Sequence, residues 1–484
     1  MRHRLRRPLV AVGLVTALAL AGCTTVVSGG NLAPPKAPNA NLAVVGDSGG
    51  QFDQIVKNAL TDVLAFWGRV YPSISGGKPL PQLRGKLYSV DGAHPSAQAK
   101  QNGCLSKSGG LDAIVDNAFY CEVDDSIAWD RNAQHLVPAL GTKYGPLLVA
   151  MVFAHEFGHA IQARLGLFDQ NVPTIVHESQ ADCASGAFTA TVMANQTPHL
   201  RASAEDLDRA LVGYLNVRDD TPVSDKDISH GDGFDRIGAV ADGFEHGVTE
   251  CYKSNWSDRK FTERPYGPNE DPSQGGNEPF EQVIDASPPK QGGGGGGLQP
   301  DLNRFWKAAA GSINKGWTDV KIAQADHPKC GDTSASFGYC PDDNTVYFSL
   351  DYAKQAYYSM AVLNVDRQTA NVTVTENQPG DYALGELFSY AWGLAVRHQL
   401  FNRSLDDGAA LLAAGCYTGA YAKDINVEQG QGRTFTLSPP DLDEATSAVL
   451  TLVGQDQAFG ARGTTGLERV QSFVKGYEGG LSVC

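Results

Sequence analysis

The sequence predicts a helix-rich α+β protein made of two tandem domains that arose by internal duplication, the second copy degenerate. Three observations lead there. The run GPLLVAMVFAHEFGHAIQARLG at 145–166 is apolar, has proline in its first turn and meets no breaker before Gly166, so it reads as one long helix. SIAWD at 126–130, just before it, alternates as a strand does. GFDRIGAVADGFEHGVTEC, ending at Cys251, is echoed by GLERVQSFVKGYEGGLSVC, ending at Cys484, 233 positions later.

The elements divide the chain as follows. Residues 1–22 carry four arginines and then a short apolar run, too short and wrongly flanked for a membrane span, and read as a signal peptide. Leu20-Ala21-Gly22-Cys23 resembles the lipobox of bacterial lipoproteins. That resemblance implies lipidation of Cys23 and a membrane anchor on the extracytoplasmic face; without lipidation the chain would be secreted. A tether over 23–50 leads into the first domain, 51–254. Residues 255–299 are rich in Pro, Gly, Asn and Glu, end near the six glycines Gly292–Gly297, and read as a flexible linker. The second domain spans 300–484, and the two domains are expected to touch.

Charge narrows the partners. The whole chain carries a formal −15, which becomes −19 once the basic leader is removed. Such a surface disfavours nucleic acid. Apart from Cys23 there are eight cysteines, an even number that reads as disulfides in an exported protein. Cys183 to Cys251 and Cys416 to Cys484 each span 68 positions, which suggests one bridge in each half. Cys104 would then pair with Cys121, and Cys330 with Cys340, although four cysteines per half permit three connectivities.

HEFGH places His155 and His159 one helical turn apart on one face, where both imidazoles can meet a tetrahedral zinc ion, with Glu156 beside them. HESQADC, on a second predicted helix, supplies Glu178 as third ligand. Asp182, four positions on, can take a hydrogen bond from a ligand histidine and hold its tautomer. A uniform 233-residue offset sets Phe388, Ser389 and Trp392 opposite His155, Glu156 and His159, with Leu411 opposite Glu178 and Gly415 opposite Asp182. On that reading the second half has lost every metal-site residue together. His177 is a weaker candidate ligand, while His94, His135 and His246 read as surface residues.

AFYCEVDD, AHEFGHAIQ, ESQADC, EDLDRAL and SHGDGFDRIGAVADGF, in order over most of 51–251, resemble the bacterial neutral zinc metallopeptidases. These are gluzincin-like enzymes that include lipoprotein peptidases of actinobacteria. The resemblance implies two zincin-like domains and a zinc-dependent peptidase, in which zinc activates water and Glu156 acts as general base. It also makes His230 a candidate donor to the oxyanion. Peptide substrate is expected to pair with SIAWD as an edge strand, through Ser126, Ile127, Ala128 and Trp129. The alternative is a non-catalytic binding or assembly lipoprotein with a structural or vestigial zinc site.

Overall fold

Val56, Leu60, Val63 and Trp67 recur at helical spacing, and Gln51–Val70 forms helix α1 with those residues buried. The computed structural model describes residues 37–484 except 108–109, 169–170, 219–228, 263, 268–269, 271–274, 289–295, 326–328, 331–332, 366–370, 428–432, 457 and 461. The leader, the lipobox and Cys23 therefore lie outside the described residues. The fold is α+β and dominated by helices. No helix among the described residues is long and apolar enough to cross a membrane.

After α1, the front half contains β1 (Leu87–Val90), β2 (Ala118–Cys121) and β3 (Ser126–Asp130). Helices α2 (Leu136–Tyr144), α3 (Pro146–Leu165), α4 (Thr174–Met193), α5 (Ala204–Leu215), α6 (Gly233–His246) and α7 (Val248–Cys251) follow. The intervening segment contributes α8 (Phe280–Val283). The rear half has α9 (Leu298–Ser312), β4 (Lys321–Gln324), the two-residue strands β5 (Lys329–Cys330) and β6 (Thr333–Ser334), β7 (Phe337–Cys340), β8 (Thr345–Phe348) and α10 (Leu350–Tyr357). It continues with the hairpin β9 (Met360–Val365) and β10 (Val372–Gln378), then α11 (Asp381–Phe401), α12 (Gly408–Val427), α13 (Asp441–Thr451) and α14 (Gly466–Gly479).

The halves share a three-stranded sheet followed by a similar order of helices, while the small sheets β5–β6 and β9–β10 occur only in the rear among the described residues. The front sheet has the order β1-β3-β2, with β1 parallel and β2 antiparallel to β3; the rear sheet, β4-β8-β7, repeats those senses. Phe66 lies edge-on to Trp67 and Phe188, as Phe305 does to Trp306 and Tyr421. Four disulfides join Cys104–Cys121, Cys183–Cys251, Cys330–Cys340 and Cys416–Cys484, the pairing that the spacing suggested.

Close helix crossings fix the register between the halves. A Cβ on Gly186 would sit 1.9 Å from the Val240 carbonyl oxygen, and one on Gly419 would sit 2.0 Å from that of Phe473. Those pairs are 233 positions apart. Across the α3–α4 crossing, Gly158 lies against Ala181, and in the rear Gly393 lies against Ala414. Gly393 follows Gly158 by 235 positions, not 233. The cause is a loop two residues shorter between α11 and α12 than between α3 and α4. The uniform offset is therefore corrected in this helix: His155, Glu156 and His159 correspond to Tyr390, Ala391 and Leu394, not to Phe388, Ser389 and Trp392.

The two halves share one apolar core, so they are not beads on a string. Phe234 on α6 lies edge-on to Phe473 and Tyr477 on α14. The contact is reciprocal at its rim. Asp443 on α13 accepts the Phe234 N–H (2.7 Å) at the start of α6, and its counterpart Asp208 on α5 accepts the Gly466 N–H (3.0 Å) at the start of α14. The described parts of 255–299 are not the free tether that their composition suggested. Trp256, Phe280 and Val283 are buried, and Arg264 reaches the Leu437 carbonyl as well as Glu270. Four of the six glycines lie outside the described residues.

Candidate metal centre

Helix α3 starts after Gly145, at φ 97°, and stops at Gly166 in the left-handed region, as the punctuation of the sequence predicted. It lies against α4 through the Gly158–Ala181 crossing, and this brings His155 and His159 to Glu178. His155 Nε2 is 3.1 Å from His159 Nε2 and 3.1 Å from Glu178 Oε2, and His159 Nε2 is 3.5 Å from Glu178 Oε1. All three side chains are largely buried.

The second nitrogen of each histidine is already committed. His155 Nδ1 donates to Asp182 Oδ1 at 2.6 Å, because a carboxylate can only accept. His159 Nδ1 donates to Gln162 Oε1 at 2.8 Å; Gln162 Nε2 donates in turn to the His177 carbonyl and to Gln180 Oε1, which fixes the amide. With Nδ1 of each ring so committed, the neutral form of each histidine would offer its Nε2 lone pair to a cation. Glu178 Oε2, buried beside them, takes no hydrogen bond. Two imidazoles and one carboxylate converging in a buried site could hold a cation, and as a donor set they fit zinc.

The electrostatics agree. Burial would depress His155, but Asp182 and Glu178 more than reverse this and raise it to about 10. Burial likewise opposes a charged His159, and Glu178 raises it. Burial works to raise Glu178, yet His159 and His155 hold it well below the usual carboxylate range. The pocket thus favours positive charge between its carboxylates. Glu156 is fully buried and raised by that burial, with both histidines opposing; its Oε2 accepts the Tyr120 N–H at 3.0 Å.

Beneath the ligands lies a buried network. Asp182 accepts from Arg236 Nε and Nη2, both at 2.9 Å, and from the Tyr214 hydroxyl. Arg236 also stacks over the Tyr214 ring, 5.0 Å from its centroid. The Cys183–Cys251 bridge, next to Asp182, ties α4 to α7, and Gln180 Nε2 reaches the Cys251 carbonyl. Sequence reasoning missed Tyr120, Gln162, Tyr214 and Arg236. Arg236 escaped because a search for losses passes over it: the rear half keeps Arg469 at the same place. Gln162 is replaced in either register, by Ala395 at the uniform offset and by Arg397 at the corrected one, but a glutamine is not a metal ligand and was passed over.

Other candidates fall elsewhere. Ser126, Ile127, Ala128 and Trp129 lie in the central strand β3, paired on both sides and wholly buried, so they offer no edge to a peptide; the edge beside α3 is β2. SIAWD alternates in sequence as a half-exposed strand does, yet all five residues are buried, and this explains the misreading. His177 turns away from the ligand set, its ring edge-on to Phe168. His135 is buried against Asp130, contrary to expectation, while His94 and His246 are exposed. His230 is exposed in the loop ahead of α6, whose next residue, Gly231, lies near Ile175 on the helix that carries Glu178.

No family model matches the chain, and no solved structure does. Uncharacterized proteins of Mycobacterium tuberculosis and Mycobacterium bovis are 33% identical to it over 117 residues, which is 21% of this chain and 40% of each relative.

Proposed function

We propose that the protein is a zinc-dependent peptidase working outside the cytoplasmic membrane, held there by a lipid on Cys23. The observation that carries this reading is the convergence of His155, His159 and Glu178 with both Nδ1 atoms bonded elsewhere and Glu156 alongside. When bound, zinc supplies a Lewis acid that polarises the scissile carbonyl and acidifies water. Glu156 takes the proton of the attacking water and passes it to the leaving amine. The Tyr120 N–H steadies one Glu156 oxygen and leaves the other for that proton. Asp182, Gln162, Tyr214 and Arg236 orient the imidazoles. An extended peptide would pair with the outer edge of β2, and His230 would donate to the oxyanion.

The binding-lipoprotein reading requires a closed site, and structural zinc sites take four protein ligands. Among the described residues three converge, which favours an open position and catalysis. Metal analysis together with cleavage of a peptide library tests the proposal. Wild type should hold one zinc per chain and cleave; Glu156→Gln should keep the zinc and lose about 10²–10⁴-fold in rate. Equal cleavage by the variant, or no uptake of a transition metal by wild type, would overturn it.

A further inference from the structure

The rear half contains a second convergence of ligand-type side chains, unlike the first in every donor. Asp381 opens α11, while Asp441 and Glu444 lie in the first turn of α13. One oxygen from each lies within 4.8 Å of the others, and all three residues are at most 3% exposed. Each carboxylate spends an oxygen on a backbone donor: Asp381 Oδ2 on the Glu278 N–H (2.8 Å), Glu444 Oε2 on the Tyr382 N–H (2.9 Å) and Asp441 Oδ2 on the Ser438 N–H (2.7 Å). Asp381 Oδ1, buried with them, takes no hydrogen bond at all.

The front half shows what this place holds when it is self-sufficient. Asp206 is the counterpart of Asp441: Ser203 donates its N–H and hydroxyl to Asp206 as Ser438 does to Asp441, and LDRA follows one as LDEA follows the other. In the front, Arg209 pairs with Asp206, and Pro146 stands at the first position of α3. In the rear, Glu444 replaces that arginine and Asp381 replaces that proline. One acid with its own guanidinium has become three acids without one. The nearby Arg264 is matched to Glu270 at 2.8 Å.

Charge bookkeeping sets the size of the deficit. Two helix N-termini offer roughly +0.5 each, against three formal negative charges. Ionised together, the three would leave about two negative charges unbalanced.

We propose that Asp381, Asp441 and Glu444 bind a hard divalent cation of the calcium class. An all-oxygen set with no imidazole or thiolate selects against zinc and copper. Oxygens bound to one calcium at about 2.4 Å can lie up to about 4.8 Å apart, so this cluster needs little rearrangement. The cation would lock the start of α11 to the start of α13. It would also secure the segment between the halves, because Glu278 rests on Asp381 and Asn277 accepts the Asp381 N–H (3.0 Å).

The test uses the full-length chain, stripped of metal and reloaded with zinc, then titrated with CaCl₂ and with TbCl₃ as a luminescent probe excited through tyrosine. Wild type should bind one calcium beyond its zinc, with a higher thermal midpoint and calcium-competed terbium emission. Asp381→Asn should weaken calcium binding at least tenfold and leave the zinc content unchanged. Glu444→Arg restores the front-half pairing; it should make the thermal midpoint indifferent to calcium, and it keeps the test decisive if Asp381→Asn folds poorly. A wild type unresponsive to calcium up to about 10 mM, above the range of the weakest extracellular calcium modules, would show that the carboxylates share protons instead and would overturn the proposal. So would a calcium response that survives both substitutions.

Discussion

Below His155 and His159, and below their rear counterparts, the two halves fill the same space in opposite ways. In front, the His155 imidazole is short and Asp182 rises from α4 to meet it, backed by Arg236. Behind, Tyr390 is long and Gly415 withdraws: a Cβ there would lie 2.6 Å from the Tyr390 hydroxyl. Arg469, with no carboxylate in hydrogen-bond contact among the described residues, turns to the carbonyls of Val449 and Thr464. Its burial lowers its pKa, whereas Asp182 overcomes burial to raise that of Arg236. Volume is conserved across the two arrangements and charge is not. The helical scaffold needs the space filled; only the chemistry needs it ionised.

If that is right, the largest effect comes from restoring the front-half chemistry behind. Tyr390→His, Leu394→His, Leu411→Glu and Gly415→Asp together should raise bound zinc from one to two per chain, read by elemental analysis of the folded protein. Placing the histidines by the uniform offset, at Phe388 and Trp392, should add none. A second zinc from that set would break the register derived from the glycine crossings.

Next in size is the network itself. Asp182→Asn leaves Arg236 buried without its countercharge, at a cost of about 3–5 kcal/mol in unfolding free energy, and should weaken zinc about 10–100-fold. Denaturant unfolding and competition with a chelator measure the two effects separately. A folded variant with unchanged zinc affinity would remove Asp182 from the metal's support.

Similar in stability cost but with less effect on zinc, and shared by both halves, is the contribution of the long disulfide loops. Removing Cys183–Cys251 or Cys416–Cys484 by paired alanine substitution should cost roughly 4 kcal/mol each, since the loops are equally long. Only the first should also loosen zinc, because only Cys183 adjoins Asp182. Equal loss of zinc from both would mean that the halves are coupled through their shared core.

What could be read in the chain followed the range of the interactions. Helix α3 was legible because its punctuation is local, Pro146 at its start and Gly166 at its end. The convergence of His155 and His159 was legible because one helical turn places them side by side. The bridges were legible because a repeated 68-residue span is a pattern in one dimension. Strand order was not, since β3 becomes central only once β1, some forty residues earlier, pairs along its far side. Tyr214 was invisible for the same reason: it reaches Asp182 across two helices, and no spacing rule joins them. The two-residue register shift was present in the alignment of Gly158 with Gly393, but a single offset concealed it.

The reciprocal rim contacts, Asp208 to Gly466 and Asp443 to Phe234, have the form of a twofold dimer seam drawn inside one polypeptide. A true dimer must keep both faces identical and dissolves on dilution. Covalent linkage lifts both constraints, because the mate is always present and need not be a copy. One lobe could then lose its ligands and still serve as the permanent other half of its twin's foundation.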